Sequence, residues 1–212
     1  MDFFKARELL VEQLQREGIT NQHVLNAFKR VPREDFVPDE SRTLAYLNSP
    51  ISIGHEQTTS QPYTIATMME MLDPQPGDTV LEVGTGTGYQ AALLSQIVHH
   101  VYTIERIPEL AKQAKNTLGR LQYQNVTVLH GDGTCGYQDQ SPFDEIIVTA
   151  GAPQVPQPLL DQLKEGGRIV IPVGTFWDHS LVKILKKDDT IERQETPGFM
   201  FVPLVGECGW EE

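Results

Sequence analysis

The stretch Val80-Leu81-Glu82-Val83-Gly84-Thr85-Gly86-Thr87-Gly88-Tyr89 decides the fold. It reads as a short buried strand that runs into three alternating glycines. Ala91, Leu93, Leu94 and Ile97 are the apolar positions of the next segment, which predicts a helix from Gln90 to about Val98. A second strand, Val101-Tyr102-Thr103-Ile104, then stops at Glu105. The unit is βαβ, with its glycine turn at the carboxyl end of the first strand. There the missing side chains let a ligand lie against backbone at a helix N-terminus. Glu105 stands 21 residues past Gly84, at the tip of the second strand, where a carboxylate can accept from both hydroxyls of a ribose. These positions predict a nucleoside-containing cofactor.

The spacing narrows which one. A dinucleotide site uses G-x-G-x-x-G, whose third glycine permits close helix packing beside a pyrophosphate. Here the pattern is G-x-G-x-G, and Glu82 lies inside the strand just before it. A carboxylate is a poor neighbour for a pyrophosphate and a good one for the ammonium and sulfonium charges of S-adenosylmethionine. A third acidic element, Gly131-Asp132-Gly133, follows the strand Val126-Thr127-Val128-Leu129, where the Asp132 side chain could take an adenine amino group. Together these strand ends predict S-adenosylmethionine as cofactor. The rival reading of the same residues is turn glycines and capping acids.

Composition fits a compact cytoplasmic enzyme. A chain of 212 residues can bury a full α/β core. The 39% hydrophobic and 22% charged fractions are ordinary for a soluble protein. No apolar run approaches the roughly 20 residues of a membrane span, and Met1-Asp2-Phe3-Phe4-Lys5 lacks the basic start and apolar stretch of a signal peptide. With 17 basic and 29 acidic residues the net charge is −12, which argues against a nucleic-acid partner. No membrane partner is expected, and the chain is expected to be a monomer. Cys135 and Cys208 show neither metal-ligand nor redox spacing, so both are expected to stay reduced. The six histidines form no ligand pattern, and no metal is predicted. His99-His100 read as the end of a helix.

The expected architecture is a Rossmann-like α/β fold with a mainly parallel central sheet, helices on both faces, a helical N-terminal addition and antiparallel C-terminal strands. It forms one domain, with a helical covering part over 1–75, a cofactor-binding core over 76–175 and an antiparallel part over 176–212. Phe3, Ala6, Leu10 and Leu14 recur at helical spacing up to Gly18. A second helix runs from about Asn21 to Arg30, with Thr20 as its expected cap and Pro32 as its stop. Val31 to Ser60 reads as an irregular stretch rich in proline and single aromatics, and a loop this long in a compact domain is usually functional. Pro62 to Leu72 reads as a helix and Phe143 to Ala150 as a fourth buried strand. Leu159 to Lys164 reads as a short helix closed by Gly166-Gly167, and Arg168 to Val173 as a fifth strand. Leu181 to Lys186 and Ile191 to Gln194 flank Asp188-Asp189 as a hairpin, and Phe199 to Val205 reads as the last strand.

At this point the sequence resembles the protein-L-isoaspartate O-methyltransferases. The resemblance is carried by Gly54-His55-Glu56-Gln57-Thr58-Thr59-Ser60-Gln61-Pro62-Tyr63, by Val31-Pro32-Arg33-Glu34 with Phe36-Val37-Pro38, and by the glycine turn. Gly131-Asp132-Gly133, Val148-Thr149-Ala150, Ile171-Pro172-Val173-Gly174 and Phe201-Val202-Pro203-Leu204 extend it along essentially the whole chain. Two departures occur, Thr59 where Ile is common and Gly151 where Ala is common. The resemblance implies methyl transfer from S-adenosylmethionine to the free α-carboxylate of isoaspartyl residues in damaged proteins and peptides, which would be the partners. It implies Ser60 as the catalytic residue. It implies Thr58, Thr59, Glu82, Gly84, Thr85, Gly86, Glu105, Arg106, Asp132 and Gly133 as the cofactor-binding set.

The Ser60 hydroxyl would donate to the substrate carboxylate and orient it. A bland alternative exists, because Ser-x-Pro ahead of a helix is a common N-cap. Three other functions compete. A nicotinamide-dependent oxidoreductase lacks its fingerprint here. A peptide-tailoring aspartate O-methyltransferase of the same fold would be expected to carry an added recognition segment. A non-catalytic relative that only binds damaged proteins would not need Ser60.

Overall fold

A computed structural model describes residues 2–187 and 190–211. Helix α1 (Phe3–Arg16) is capped by Asp2, which accepts from the Lys5 N–H, and it buries Leu10, Val11 and Leu14. Helix α2 (Gln22–Arg30) is capped by Asn21, whose side-chain oxygen accepts from the His23 and Val24 N–H groups. Thr20, the expected cap, is drawn elsewhere: its N–H and hydroxyl both donate to Glu70. Two 3₁₀ turns follow, Arg33–Asp35 and Asp39–Leu44. The stretch read as irregular then forms a hairpin, β1 (Ile51–Gly54) paired antiparallel with β2 (Gln57–Thr59). Its turn places His55 and Glu56 at φ 52° and 58°. Neither residue is a usual turn former for positive φ, which is why turn chemistry gave no signal there.

Helix α3 (Pro62–Leu72) starts with proline at its first turn and presents Ile65, Met68, Met69 and Leu72 to the core. The central unit is β3 (Thr79–Val83), α4 (Tyr89–Ser95), β4 (His100–Glu105), α5 (Pro108–Arg120) and β5 (Val126–His130). Helix α4 is therefore shorter than its apolar pattern predicts, and His100 opens a strand instead of closing a helix. Strand β6 (Phe143–Val148), helix α6 (Gln157–Asp161), β7 (Leu163–Gly174), β8 (His179–Lys187) and β9 (Thr190–Phe199) complete the chain. The segment read as a helix to Lys164 turns into strand early: β7 begins at Leu163, and its register with β6 shifts between Phe143 and Glu145. The β8–β9 hairpin is antiparallel, while its expected turn at Asp188-Asp189 lies outside the described residues. The strand expected from Phe199 to Val205 is not one. The sheet ends with β9, and Gly151–Pro203 and Val205–Trp210 are isolated bridges.

The seven-stranded sheet has the order β5-β4-β3-β6-β7-β8-β9. Strands β5 to β7 run parallel, and β8 and β9 are antiparallel. Both faces are covered, so the central strands are apolar on both sides. Val80, Val101, Ile147 and Val170 pack on the side of α1 to α4, and Leu81, Ile146, Ile169 and Ile171 on the other. The edge strand β9 is polar and mostly exposed, which discourages edge pairing. From β3 the chain winds outward through β4 to β5, then returns to β6 on the other side of β3. A crevice opens at the carboxyl ends of strands where winding reverses in this way.

Candidate functional site

The glycine turn sits in that crevice, and at Gly84 its shape is set by a contact that leaves no room for a side chain. Gly84 has φ 98°, and a Cβ there would lie 2.2 Å from the Thr149 hydroxyl oxygen. That hydroxyl donates to the Gly84 carbonyl at 2.7 Å, tying the turn to the end of β6. Gly133 is closed off by packing: its Cβ would lie 2.8 Å from Val83 Cγ1 and 3.2 Å from Ile104 Cβ. The carboxylate of Glu105 accepts from the Gly86 N–H at 2.8 Å and from the Ile107 N–H at 3.0 Å. A carboxylate has about four acceptor positions, so both oxygens keep capacity for two further donors such as ribose hydroxyls.

One cavity joins this turn to the hairpin that precedes α3. Gln57, Thr58, Thr59 and Ser60 line it together with Gly84, Thr85, Gly86, Glu105, Arg106 and Gly133. Ile104, Ile107 and Leu110 give it an apolar wall, and Tyr89, Thr134, Thr149, Ala150 and Val202 to Val205 are among the other residues that line it. Ser60 is not a cap: Gln61 occupies the N-cap position of α3, and that helix has no side-chain cap. Its carbonyl oxygen accepts from Arg33 at 3.0 Å.

Arg33, which the sequence marks only as part of the Val31-Pro32-Arg33-Glu34 motif, organises this wall. Its guanidinium is fully buried and donates to the carbonyls of Ala45, Leu47, Ser49 and Ser60. It also lies over the Tyr89 ring, 5.6 Å from the centroid. A planar fork of five donors suits this convergence of carbonyls. One side chain thus gathers the 31–60 segment and holds the backbone of Ser60 at the cavity. Buried arginine is rare enough that only the tertiary structure identifies it.

Two expected cofactor residues stand elsewhere. Glu82 is fully buried under the turn and does not line the cavity. One of its oxygens accepts from Thr103 Oγ1 at 2.5 Å, and Thr103 Oγ1 lies 2.6 Å from Thr85 Oγ1. Burial, with a smaller contribution from Glu105, pushes the Glu82 carboxyl up to about 8 despite the Thr103 bond. Its reach toward the cavity therefore runs through Thr103 and Thr85, because alternate strand residues point to opposite faces. Asp132 lines a shallower depression with Arg106, His130 and Trp210. Its oxygens accept from the Thr134 N–H and hydroxyl and from the Glu207 N–H. Burial would raise this carboxyl, but the Glu207 and Thr134 donors hold it below its ordinary range. Gly133 and Thr134, not the Asp132 side chain, reach the cavity.

The Gly151 departure has a physical cause. A Cβ there would lie 2.0 Å from His179 Nε2. The buried His179 ring, edge-on to Phe201, fills the space that an alanine methyl would need. Thr59 is buried and faces the cavity. Among the described residues no group of three or more His, Cys, Asp and Glu side chains is placed to hold a metal ion. None of the described helices is long and apolar enough to cross a membrane.

A glycine turn and a strand-tip acid at the reversal point of a mainly parallel sheet define the Rossmann-like fold of S-adenosylmethionine-dependent methyltransferases. A solved protein-L-isoaspartate O-methyltransferase superposes with a TM-score of 0.85 at 32% identity, covering 96% of this chain and 67% of that one. A Plasmodium falciparum structure in complex with S-adenosyl-L-homocysteine gives 0.82 at 25% identity, covering 94% and 98%. The chain belongs to the protein-L-isoaspartate(D-aspartate) O-methyltransferase family, which matches residues 5–209. The protein-L-isoaspartate O-methyltransferase of Hyperthermus butylicus is 51% identical over 223 residues, covering 99% of this chain and 92% of the relative. That of Petrotoga mobilis is 50% identical over 213 residues, covering 99% and 100%.

Proposed function

We propose that this chain transfers a methyl group from S-adenosylmethionine to the free α-carboxylate of L-isoaspartyl residues in damaged proteins and peptides. The observation that carries the reading is a shared cavity: Ser60 lines the same wall system as the glycine turn and Glu105. The donor set fits the cofactor, since Glu105 retains acceptor capacity for a ribose and Ile104, Ile107 and Leu110 offer an apolar bed for a base. Thr58, Thr59, Gly84, Thr85, Gly86, Arg106 and Gly133 would contact it, with Glu82 acting from beneath. Bound S-adenosylmethionine supplies an electrophilic methyl on a sulfonium.

The protein's own task is positioning. A substrate carboxylate with a pKa near about 4 is already ionised at neutral pH, so no base has to remove a proton. Ser60 would donate its hydroxyl to one carboxylate oxygen and leave the other aimed along the line of transfer, at roughly 3 Å. The Arg33 bond to the Ser60 carbonyl fixes where that hydroxyl starts from.

The test compares methyl transfer to paired peptides that differ only in an isoaspartyl or an aspartyl linkage. Transfer to the isoaspartyl member should exceed the other by orders of magnitude. Equal kcat/KM would remove the repair function and favour a tailoring enzyme. Ser60→Ala should keep affinity for S-adenosylhomocysteine and lose on the order of 10² in kcat, as for other oriented donors. Unchanged turnover in the folded variant would take Ser60 out of the mechanism.

A further inference from the structure

Cys135 and Cys208 stand 73 positions apart by number, 208 less 135, and neither is used by the methyl-transfer site. The fold nevertheless brings them side by side. Asp132 accepts from the Glu207 N–H at 2.8 Å, and Thr134 Oγ1 accepts from the Cys208 N–H at 3.0 Å. These bonds dock the loop after β5 onto the C-terminal segment in fixed register. The approach is close enough to require glycine at position 206, where a Cβ would lie 2.4 Å from Asp132 Oδ1. The two sulfurs end 2.6 Å apart, each half-buried.

We propose that Cys135 and Cys208 form a reversible intramolecular disulfide that fastens the loop after β5 to the C-terminal segment. The oxidant would be a low-molecular-weight disulfide such as oxidised glutathione. The thiolate of one cysteine attacks a reagent sulfur, forming a mixed disulfide and releasing one reagent thiolate. The second cysteine, as thiolate, attacks the protein sulfur of that mixed disulfide and releases the other. The two cysteine protons end on the two reagent thiols, so two electrons pass from protein to reagent. Burial and the neighbouring Cys208 push the Cys135 thiol up to about 11. Such a sulfur is both a slow first attacker and a poor leaving group, so attack at the Cys208 sulfur, which would have to expel the Cys135 thiolate, is slow. Both fastened segments wall the cofactor cavity, through Gly133 and Thr134 on one side and Val202 to Val205 on the other. The cross-link would hold those walls together on heating.

The test uses the wild-type chain equilibrated with oxidised glutathione, unfolded in an alkylating reagent and mapped by mass spectrometry. The expected result is no alkylated cysteine, no glutathione adduct and one cross-linked peptide containing both positions. Oxidation should raise the melting temperature by roughly 10 °C, the scale for closing a loop of this length in a chain of this size. Cys135→Ser and Cys208→Ser should each abolish that rise. Two alkylated thiols after oxidation, separate glutathione adducts, or a disulfide-linked dimer would overturn the proposal. The mapping reads the wild type alone, so a variant that folds poorly does not blunt it.

Discussion

The two walls of the cavity are held by opposite means. The turn from Gly84 to Gly88 is a backbone device, shaped by glycine conformation and clamped by Glu105 and Thr149 from the neighbouring strand ends. The wall carrying Thr58 to Ser60 is a side-chain device. It reaches the cavity because one buried guanidinium collects carbonyls from four places between Ala45 and Ser60. A backbone device is specified by glycine spacing. A side-chain device depends on a single polar group whose partners are main-chain atoms and carry no sequence signature.

The largest expected effect breaks the glycine wall. Gly84→Val places a branched side chain against the Thr149 hydroxyl at a φ of 98°, and calorimetry should find no binding of S-adenosylhomocysteine. Gly86→Ala sharpens the point. Its Cβ would meet only Ile53 Cδ1 at 3.5 Å, so the cost should be confined to the left-handed backbone, about 1–2 kcal/mol of stability. If Gly84→Val binds as well as Gly86→Ala, the Thr149 contact does not shape the turn. Breaking the other wall should give a different phenotype. Arg33→Lys cannot serve four converging carbonyls with a compact ammonium, so Ser60 should shift while the turn stays. Turnover should fall on the order of 10²-fold, the effect of misplacement by about 1 Å, with cofactor affinity much less affected. Equal losses of both would mean that the walls are not separable.

This asymmetry also explains what was legible in the sequence. The strands β3, β4, β5 and β6 and the glycine turn lie in one stretch whose apolar runs and glycine spacing state the fold directly. Glu105 was readable for the same reason, as an acid at a strand tip. Asp132 was placed at the correct strand end, but the Thr134 and Glu207 donors that occupy it come partly from a segment 75 positions later, 207 less 132. Glu82 reads in sequence as a neighbour of the cofactor's ammonium and sulfonium charges, whereas its buried side chain instead accepts from Thr103 and does not line the cavity. The hairpin of β1 and β2 escaped because His55 and Glu56 adopt positive φ without glycine or asparagine. Arg33 stands in a recognisable motif, but its role carries no signal, because a buried cation satisfied by carbonyls looks, in sequence, like any surface arginine.

Glu105 tests the backbone device from its acceptor side. Glu105→Gln keeps the shape but replaces one oxygen with an amide nitrogen. That nitrogen must then face either the Gly86 or the Ile107 N–H, a donor against a donor. Affinity for S-adenosylhomocysteine should weaken by about 1–3 kcal/mol, the scale of a lost hydrogen bond to a charged group. Unchanged affinity by calorimetry would show that the carboxylate charge and its paired acceptors do not matter to the turn.

The smallest effect on binding, and the most specific in its pH signature, is expected at Glu82. Its carboxyl is pushed up to about 8 by burial, whereas in the unfolded chain it titrates near about 4.3. Between those values the folded protein holds a proton that the unfolded chain has released, so stability falls as pH rises through the window. Below it both forms are protonated and the contribution is intact; above it both are ionised and the loss is complete. Glu82→Gln keeps a neutral side chain beside Thr103 and removes this dependence. The melting temperature of the wild type minus that of the variant should therefore decline from about pH 5 to about pH 8 and flatten outside that range. Glu145, which burial pushes up to about 9 beside Arg168, adds a slope of the same sign, but it is common to both proteins and cancels in the difference. A flat difference would mean that Glu82 is ionised in the folded state, with a compensating cation or water beneath the turn.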